Sequence, residues 1–151
     1  MTKLERVDYT KPQHLESLKT VWGWMESQPE YLAATGYESL TEFLLPPDER
    51  QWLDLFCWCS GLVAMFSLVR HADADYEVHL AIPSRPNLKA ISTGLEILKR
   101  NIFESLDGLS VYVILPRGKE AKSARYARFM GFHPLDELNH WGLTKEQYYG
   151  R

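Results

Sequence analysis

The first third of the chain carries apolar residues at helical spacing. Residues 10–13 are typical of a helix start, with Thr10 as the cap and Pro12 in the first turn. The apolar positions that follow share one helix face: Leu15, Leu18, Val21, Trp22 and Met25. A second, short helix is predicted over 37–45, because Pro46 and Pro47 end it. Residues 28–36 are predicted to connect the two helices.

From Trp52 onward the pattern becomes that of strands. Residues 52–59 and 62–69 are apolar runs joined by Ser60-Gly61, which is typical of a hairpin. A turn at 73–75 leads to a third predicted strand over 76–82. Three antiparallel strands in succession are the simplest arrangement of these runs.

The remaining chain alternates between helix and strand. A helix is predicted from the spacing of Ile91, Leu95, Leu98 and Ile102, which lie on one face. Residues 109–115 form a near-continuous apolar strand, as expected when both faces are covered. A helix over 122–130, ended by Gly131, a strand near 139–143 and a final capped turn from Thr144 complete the order α-α-β-β-β-α-β-α-(β).

Cations cluster where two of these strands lead into helices. The β-α-β unit over 76–115 predicts a parallel strand pair with a right-handed crossover, and ligands bind beyond the carboxyl ends of such strands. Five cations follow these ends: Arg85, Lys89, Arg117, Lys119 and Lys122. Because a helix N-terminus favours anions, two basic helix starts indicate a phosphate-binding site. The competing interpretation is an ordinary solvated surface.

This order of elements resembles the GNAT superfamily of acyl-CoA-dependent N-acetyltransferases. The central helix of that family begins with a loop of the form Gln/Arg-x-x-Gly-x-Gly/Ala, and Arg85-Pro-Asn-Leu-Lys-Ala90 stands in its place. Arg85 and Ala90 match, whereas Leu88 replaces the first glycine. Gly131-Phe132 matches the Gly-Phe that commonly ends the later helix. The resemblance implies one α+β domain over 1–151, with flanking helices and a mixed, mostly antiparallel sheet that contains a splayed parallel pair.

The resemblance also implies a binding site for acetyl-CoA as co-substrate, with no metal. The backbone of Leu80, Ala81 and Ile82 would hold the pantetheine arm. The loop and first helical turn would hold the pyrophosphate: Arg85, Asn87, Leu88, Lys89 and Ala90. The later cations Arg117, Lys119 and Lys122 would join Arg85 and Lys89 around the pyrophosphate. These five cations together form the basic mouth of the site.

Acyl transfer to an amine needs a base, because a free alkyl amine is mostly protonated at neutral pH. Glu77 and His79 are two apart on a predicted strand and share a face, so both are candidate catalytic bases. A solvent-facing Glu77 and a packed His79 are the structural alternatives. The family often protonates the departing thiolate with a tyrosine at the position of Ala127, and Tyr126, one place away, is the candidate here.

The acceptor implied is a small-molecule or protein amine. Six acidic residues form a candidate cationic-amine rim: Glu26, Glu30, Glu38, Glu42, Asp48 and Glu49. A homodimer is compatible with the sequence. The alternative function is a catalytically lapsed GNAT-like fold acting as a binding or assembly module, motivated by Leu88 and Ala127.

Composition and charge limit the class of protein, its partners and its location. Hydrophobic residues make up 45% of the chain and charged residues 25%, which is typical of a globular domain. A net charge of −3 makes nucleic acid an unfavoured partner, with the basic mouth as the route if it binds. The two cysteines, Cys57 and Cys59, predict a reducing, cytoplasmic location, and no segment is apolar enough over about 20 residues to span a membrane.

Overall fold

A computed structural model describes residues 1–48, 50–114, 120–137 and 139–150. Its strands form a single mixed sheet in the order β1-β2-β3-β4-β5-β7-β6. The strands are β1 Lys3–Arg6, β2 Trp52–Trp58, β3 Leu62–His71, β4 Asp75–Ala81, β5 Ser110–Ile114, β6 His133–Pro134 and β7 His140–Thr144. The helices are α1 Pro12–Glu26, α2 Pro29–Thr35, α3 Leu40–Phe43, α4 Leu88–Glu104, α5 Glu120–Phe129 and α6 Lys145–Gly150.

The N-terminal region departs most from the predicted order. β1 precedes α1 and pairs antiparallel with β2, although its short, charged sequence carries no strand pattern. The predicted connection over 28–36 contains α2, which begins at Pro29. The predicted helix over 37–45 is only the four-residue α3. Thr10 does not cap α1, because its amide and hydroxyl both donate to the Asp8 carboxylate, at 2.9 and 2.6 Å.

The elements from β2 onward follow the prediction closely, except that the two-residue strand β6 lies where no strand is predicted. Ser60 and Gly61 take the positive φ values of +54° and +131° that the hairpin between β2 and β3 requires. β3 and β4 pair antiparallel, whereas β4 and β5 pair parallel around α4. Gly131, with φ at +90°, ends α5. Thr144 and Gln147 cap α6 reciprocally, with N–H to oxygen distances of 3.1 and 2.9 Å.

Apolar side chains fill both faces of the sheet, but over different areas. On one face, α4 and α5 cover a large cluster that includes Phe66, Leu98 and Val111. Gly94 lets α4 approach the sheet closely, since a Cβ built there would lie 2.7 Å from the Cys57 Sγ. On the other face, α1 and α3 cover a smaller cluster around Phe56 and Met65. None of the described helices is both long and apolar enough to cross a bilayer.

Candidate active site

The parallel strands β4 and β5 stay together for three residue pairs and then part. Their register runs from Asp75 opposite Ser110 to Glu77 opposite Tyr112. Beyond Glu77, β4 continues to Ala81 beside β3, and β5 continues beside β7. The carboxyl half of β4 therefore has an edge that β5 does not cover, which is the splayed pair that the sequence resemblance implied.

Glu77 lies at the point where the strands part, and its carboxylate contacts three neighbouring side chains. Its Oε1 accepts a hydrogen bond of 2.7 Å from the Tyr112 hydroxyl on β5. The same oxygen lies 3.1 Å from the Nε2 of His71, at the end of β3. Its Oε2 contacts the Nε2 of His79, two residues along β4. The predicted sharing of one face by Glu77 and His79 thus becomes a direct contact.

These neighbours keep Glu77 ionised. Burial raises the pKa of Glu77, but the Tyr112 hydrogen bond, the nearby His79 charge and the hydrogen bonds from His71 and His79 together hold its pKa below the ordinary value. The reciprocal effect appears on the phenol: burial and the Glu77 carboxylate raise the pKa of Tyr112. Tyr112 therefore remains a neutral donor to a charged acceptor, which is a strong type of hydrogen bond.

His79 faces a cleft between the sheet and the first three helices. Its ring stacks on the Trp52 indole, with centroids 6.1 Å apart and planes at 8°. The cleft is lined by residues of both layers: Met25, Thr35, Tyr37, Phe43, Trp52, Met65, Ser67, His79, Leu80 and Ala81. Its position beside the uncovered half of β4 places an imidazole next to the opening between the strands.

A buried carboxylate lies behind one wall of this cleft. Asp54 on β2 is only 3% exposed. Its Oδ1 accepts from the Trp52 Nε1 at 2.8 Å and from the Ser67 Oγ at 2.6 Å, and its Oδ2 accepts from the Tyr9 hydroxyl. Two of these donors, Trp52 and Ser67, also line the cleft.

The residues that the resemblance assigns to acetyl-CoA lie along β4 and the start of α4. Leu80 and Ala81 line the cleft. Ile82 follows the strand, and its carbonyl accepts from the Gln28 Nε2 at 3.0 Å. Their hydrogen bonding to pantetheine stays a prediction.

Asn87 caps α4, with its side-chain oxygen 3.2 Å from the Ala90 N–H. Leu88 begins the helix and is 49% exposed. Since the first N–H groups of a helix have no acceptor within it, those of Leu88 and Lys89 are available to an anion. Arg85 and Lys89 are solvent-exposed, so their charges can reach the same anion.

The second half of the predicted basic mouth cannot be placed. Arg117 and Lys119 lie outside the described residues. Lys122 belongs to α5, but its side chain is likewise outside the description.

Tyr126 packs against α4. Its hydroxyl lies 2.9 Å from the Ser92 Oγ. Burial raises the pKa of Tyr126, which keeps the phenol protonated. Ala127, at the position where the family often has its tyrosine, is 4% exposed and belongs to the core. Proton donation by Tyr126 stays a prediction.

Three residues of this site were not predicted from the sequence, namely Asp54, His71 and Tyr112. Two of them carry a signal in retrospect: Asp54 and Tyr112 are polar groups inside apolar strands, and a buried polar group needs hydrogen-bond partners. Their partnership needs the register of β2, β3, β4 and β5, which local pattern does not specify. In the described parts of the chain, no group of three or more His, Cys, Asp or Glu side chains is arranged to hold a metal ion.

No family model matches the sequence, and no curated protein sequence matches it either. Solved structures do match, over nearly the whole chain. Mutant forms of the spermidine/spermine N-acetyltransferase SpeG from Vibrio cholerae superimpose with a TM-score of 0.75 at 12% identity, covering 100% of this chain and 99% of theirs. The Campylobacter jejuni N-acetyltransferase PseH, solved with acetyl coenzyme A, gives 0.67 at 14% identity, covering 95% and 99%.

The aminoglycoside acetyltransferase AAC(6')-Ib, solved with coenzyme A and kanamycin, gives a TM-score of 0.71 at 10% identity, covering 99% of this chain and 98% of that one. Agreement over almost every residue of both chains, together with the splayed β4–β5 pair, defines the architecture. The chain has the fold of the GNAT N-acetyltransferases. The fold predicted from element order and from Gly131-Phe132 is thereby confirmed.

Proposed function

We propose that the protein is an acyl-CoA-dependent N-acetyltransferase that transfers an acetyl group from acetyl-CoA to a primary amine. The observation that supports this proposal most strongly is that β4 and β5 part at Glu77 and Tyr112, directly beside the His79–Glu77 pair. GNAT-fold neighbours solved with acetyl coenzyme A or coenzyme A support the co-substrate. The thioester arm would lie along the uncovered edge of β4, with its pyrophosphate at the N-terminus of α4.

His79 acts as the base, and Glu77 positions it. An Nε2–H that donates to the Glu77 carboxylate leaves the His79 Nδ1 lone pair to accept a proton from the acceptor ammonium. The neutral amine then attacks the thioester carbonyl and the C–N bond forms. The attacking nitrogen, now positively charged, loses a proton to solvent, and the C–S bond breaks. The thiolate leaves and takes up a proton from water or from Tyr126. Glu77, held as an anion by Tyr112 and His71, stabilises the imidazolium while it exists.

The transfer is direct, without an acyl-enzyme intermediate. Cys57 is buried, and burial, followed by the neighbouring Cys59, raises its pKa to about 11. A thiol held protonated in the core is a poor nucleophile. Since Cys57 packs in the core cluster under α4, it is also on the face opposite the His79 cleft.

Two measurements test the proposal together. Calorimetry should detect binding of acetyl-CoA, and CoA release in the presence of primary amines should depend on His79 and Glu77. A matched control is Glu16→Gln, which makes the same charge change on the exposed surface of α1. If neither acetyl-CoA nor CoA binds at millimolar ligand, the proposal is wrong.

The alternative is a binding or assembly module that has lost catalysis. Leu88 favours it, because a side chain at the first turn of α4 limits how closely the backbone approaches a phosphate. Binding of CoA without turnover by any amine would support this alternative. Turnover that Glu77→Gln or His79→Ala reduces would exclude it.

A further inference from the structure

The Asp54 carboxylate carries an uncompensated negative charge. Its recorded hydrogen bonds come from Tyr9, Trp52 and Ser67, all of them neutral donors. Among the lysines and arginines that the structure describes, none forms an ion pair with it. Three neutral donors satisfy the oxygens, but they leave the net charge in place at a site that is 3% exposed. Burying such a charge is costly unless a cation approaches it.

The charge of Asp54 reaches the cleft beside His79. Trp52 links the two groups, because its Nε1 donates to Asp54 and its ring stacks on the His79 ring. Ser67 links them again, since its hydroxyl donates to Asp54 and its backbone lies opposite His79 in the β3–β4 register. The described residues that line the cleft include no lysine or arginine.

Negative charge also acts on Tyr37, on the opposite wall of the cleft. Burial, and after it the charges of Asp54 and Glu42, raise the pKa of Tyr37 to about 12. Tyr37 and Trp52 also provide aromatic surface, and aromatic rings attract cations through their negative faces. The cleft thus combines negative potential with aromatic walls.

We propose that this part of the cleft is a subsite for a second positive charge on the acceptor, so that the preferred acceptors are diamines or other amines bearing an additional cation. The inference rests on the proposed function. The reacting ammonium must give up a proton to His79 before it attacks, and a nearby anion such as Asp54 opposes that loss. A second ammonium keeps its charge from binding through the transition state, so Asp54 stabilises it throughout.

Calorimetry with two matched probes tests the subsite directly. The probes are 1,4-diaminobutane and 4-amino-1-butanol, which differ only by an ammonium in place of a hydroxyl. We expect the full-length protein to bind the diamine at least about tenfold more tightly, both alone and with CoA present. Asp54→Asn should reduce the diamine affinity to that of the amino alcohol. Tyr9→Phe removes a hydrogen bond but keeps the charge, so the preference should persist.

The control carboxylate is Glu16, because Glu16→Gln makes the same charge change on an exposed helix face and should leave the preference intact. Equal affinities of the wild-type protein for the two probes would overturn the inference, and this comparison decides it even if Asp54→Asn fails to fold. Retention of the preference in a folded Asp54→Asn variant would overturn it as well. Turnover of monoamines and diamines with equal kcat/KM would reject the subsite while leaving the acetyltransferase proposal standing. Absence of CoA binding would reject that proposal separately.

Discussion

The two faces of β4 and β5 carry opposite kinds of side chain. Tyr76, Val78, Val111 and Val113 point to the face covered by α4, and all are buried in one apolar cluster. Their alternate neighbours on the other face form the polar group of Glu77, His79 and Tyr112. Because side chains of a strand alternate between faces, the same ten or so residues build both the core and the site. Along each strand, substitutions of alternate residues should therefore affect either stability or catalysis, even where the two positions are adjacent in sequence.

The largest effect is expected on the polar face. His79→Ala removes the proposed base, so kcat should fall by roughly 10²–10⁴-fold, as for loss of a general base. Thermal stability should change little, because the side chain is 41% exposed. Steady-state CoA release with an amine acceptor, beside a melting curve, measures both. Unchanged kcat in a folded variant would remove His79 from the mechanism.

Substitutions on the apolar face should lower stability and leave activity unchanged. Leu98 on α4 is 2% exposed, so Leu98→Ala should lower the free energy of unfolding by about 2–5 kcal/mol. Activity per folded molecule should be preserved. Leu109→Ala is the matched control, since Leu109 is 58% exposed and should change stability by no more than about 0.5 kcal/mol. Urea denaturation measures each; equal losses for both leucines would contradict the assignment of the core.

Tyr112→Phe sharpens the comparison, because it removes one hydroxyl from the polar face and leaves the ring. Loss of a hydrogen bond to a charged group should cost about 1.5–3 kcal/mol. The sign follows from Glu77, whose pKa is lowered in the folded state: its contribution to stability is present above the ordinary glutamate pKa and lost as pH falls through the folded value. The variant should therefore lose stability at neutral pH and lose less on acidification.

Denaturation from pH 7 down to pH 3 measures this difference. Parallel wild-type and Tyr112→Phe stability curves over that range would show that the hydroxyl does not hold Glu77 ionised. His140→Ala serves as a neighbouring control, because it removes a ring stacked on Tyr112 at 5.9 Å without touching the hydrogen bond to Glu77.

The smallest effect concerns the start of α4. Leu88→Gly restores the small residue that the family has at this position, so CoA should bind about threefold more tightly, while the helix loses about 1 kcal/mol at most. Leu88→Ala keeps a Cβ and should gain less. Calorimetric titration of the three proteins with CoA measures the order, and weaker binding by the glycine variant would show that Leu88 itself contacts the ligand.

The sequence predicted the features that local pattern specifies and missed those that depend on contacts between distant segments. The element order from β2 to β7 except β6, the parallel pair and the shared face of Glu77 and His79 came from local periodicity and one strand's alternation, which need no tertiary information. β1 and α2 were missed because their short segments become ordered by pairing with β2 and packing beside α1. Tyr112, His71 and Asp54 were missed because their partners lie 35, 6 and 45 positions away on other strands or segments.

A crystal structure of the protein with CoA would show whether the opening between β4 and β5 holds the co-substrate. We expect pantetheine to lie between the carboxyl half of β4, from Glu77 to Ala81, and β5 beyond Tyr112, with the pyrophosphate on the N–H groups of Leu88 and Lys89. Density for CoA elsewhere on the molecule, or β4 and β5 closed onto each other beyond Glu77 in the crystal, would contradict it.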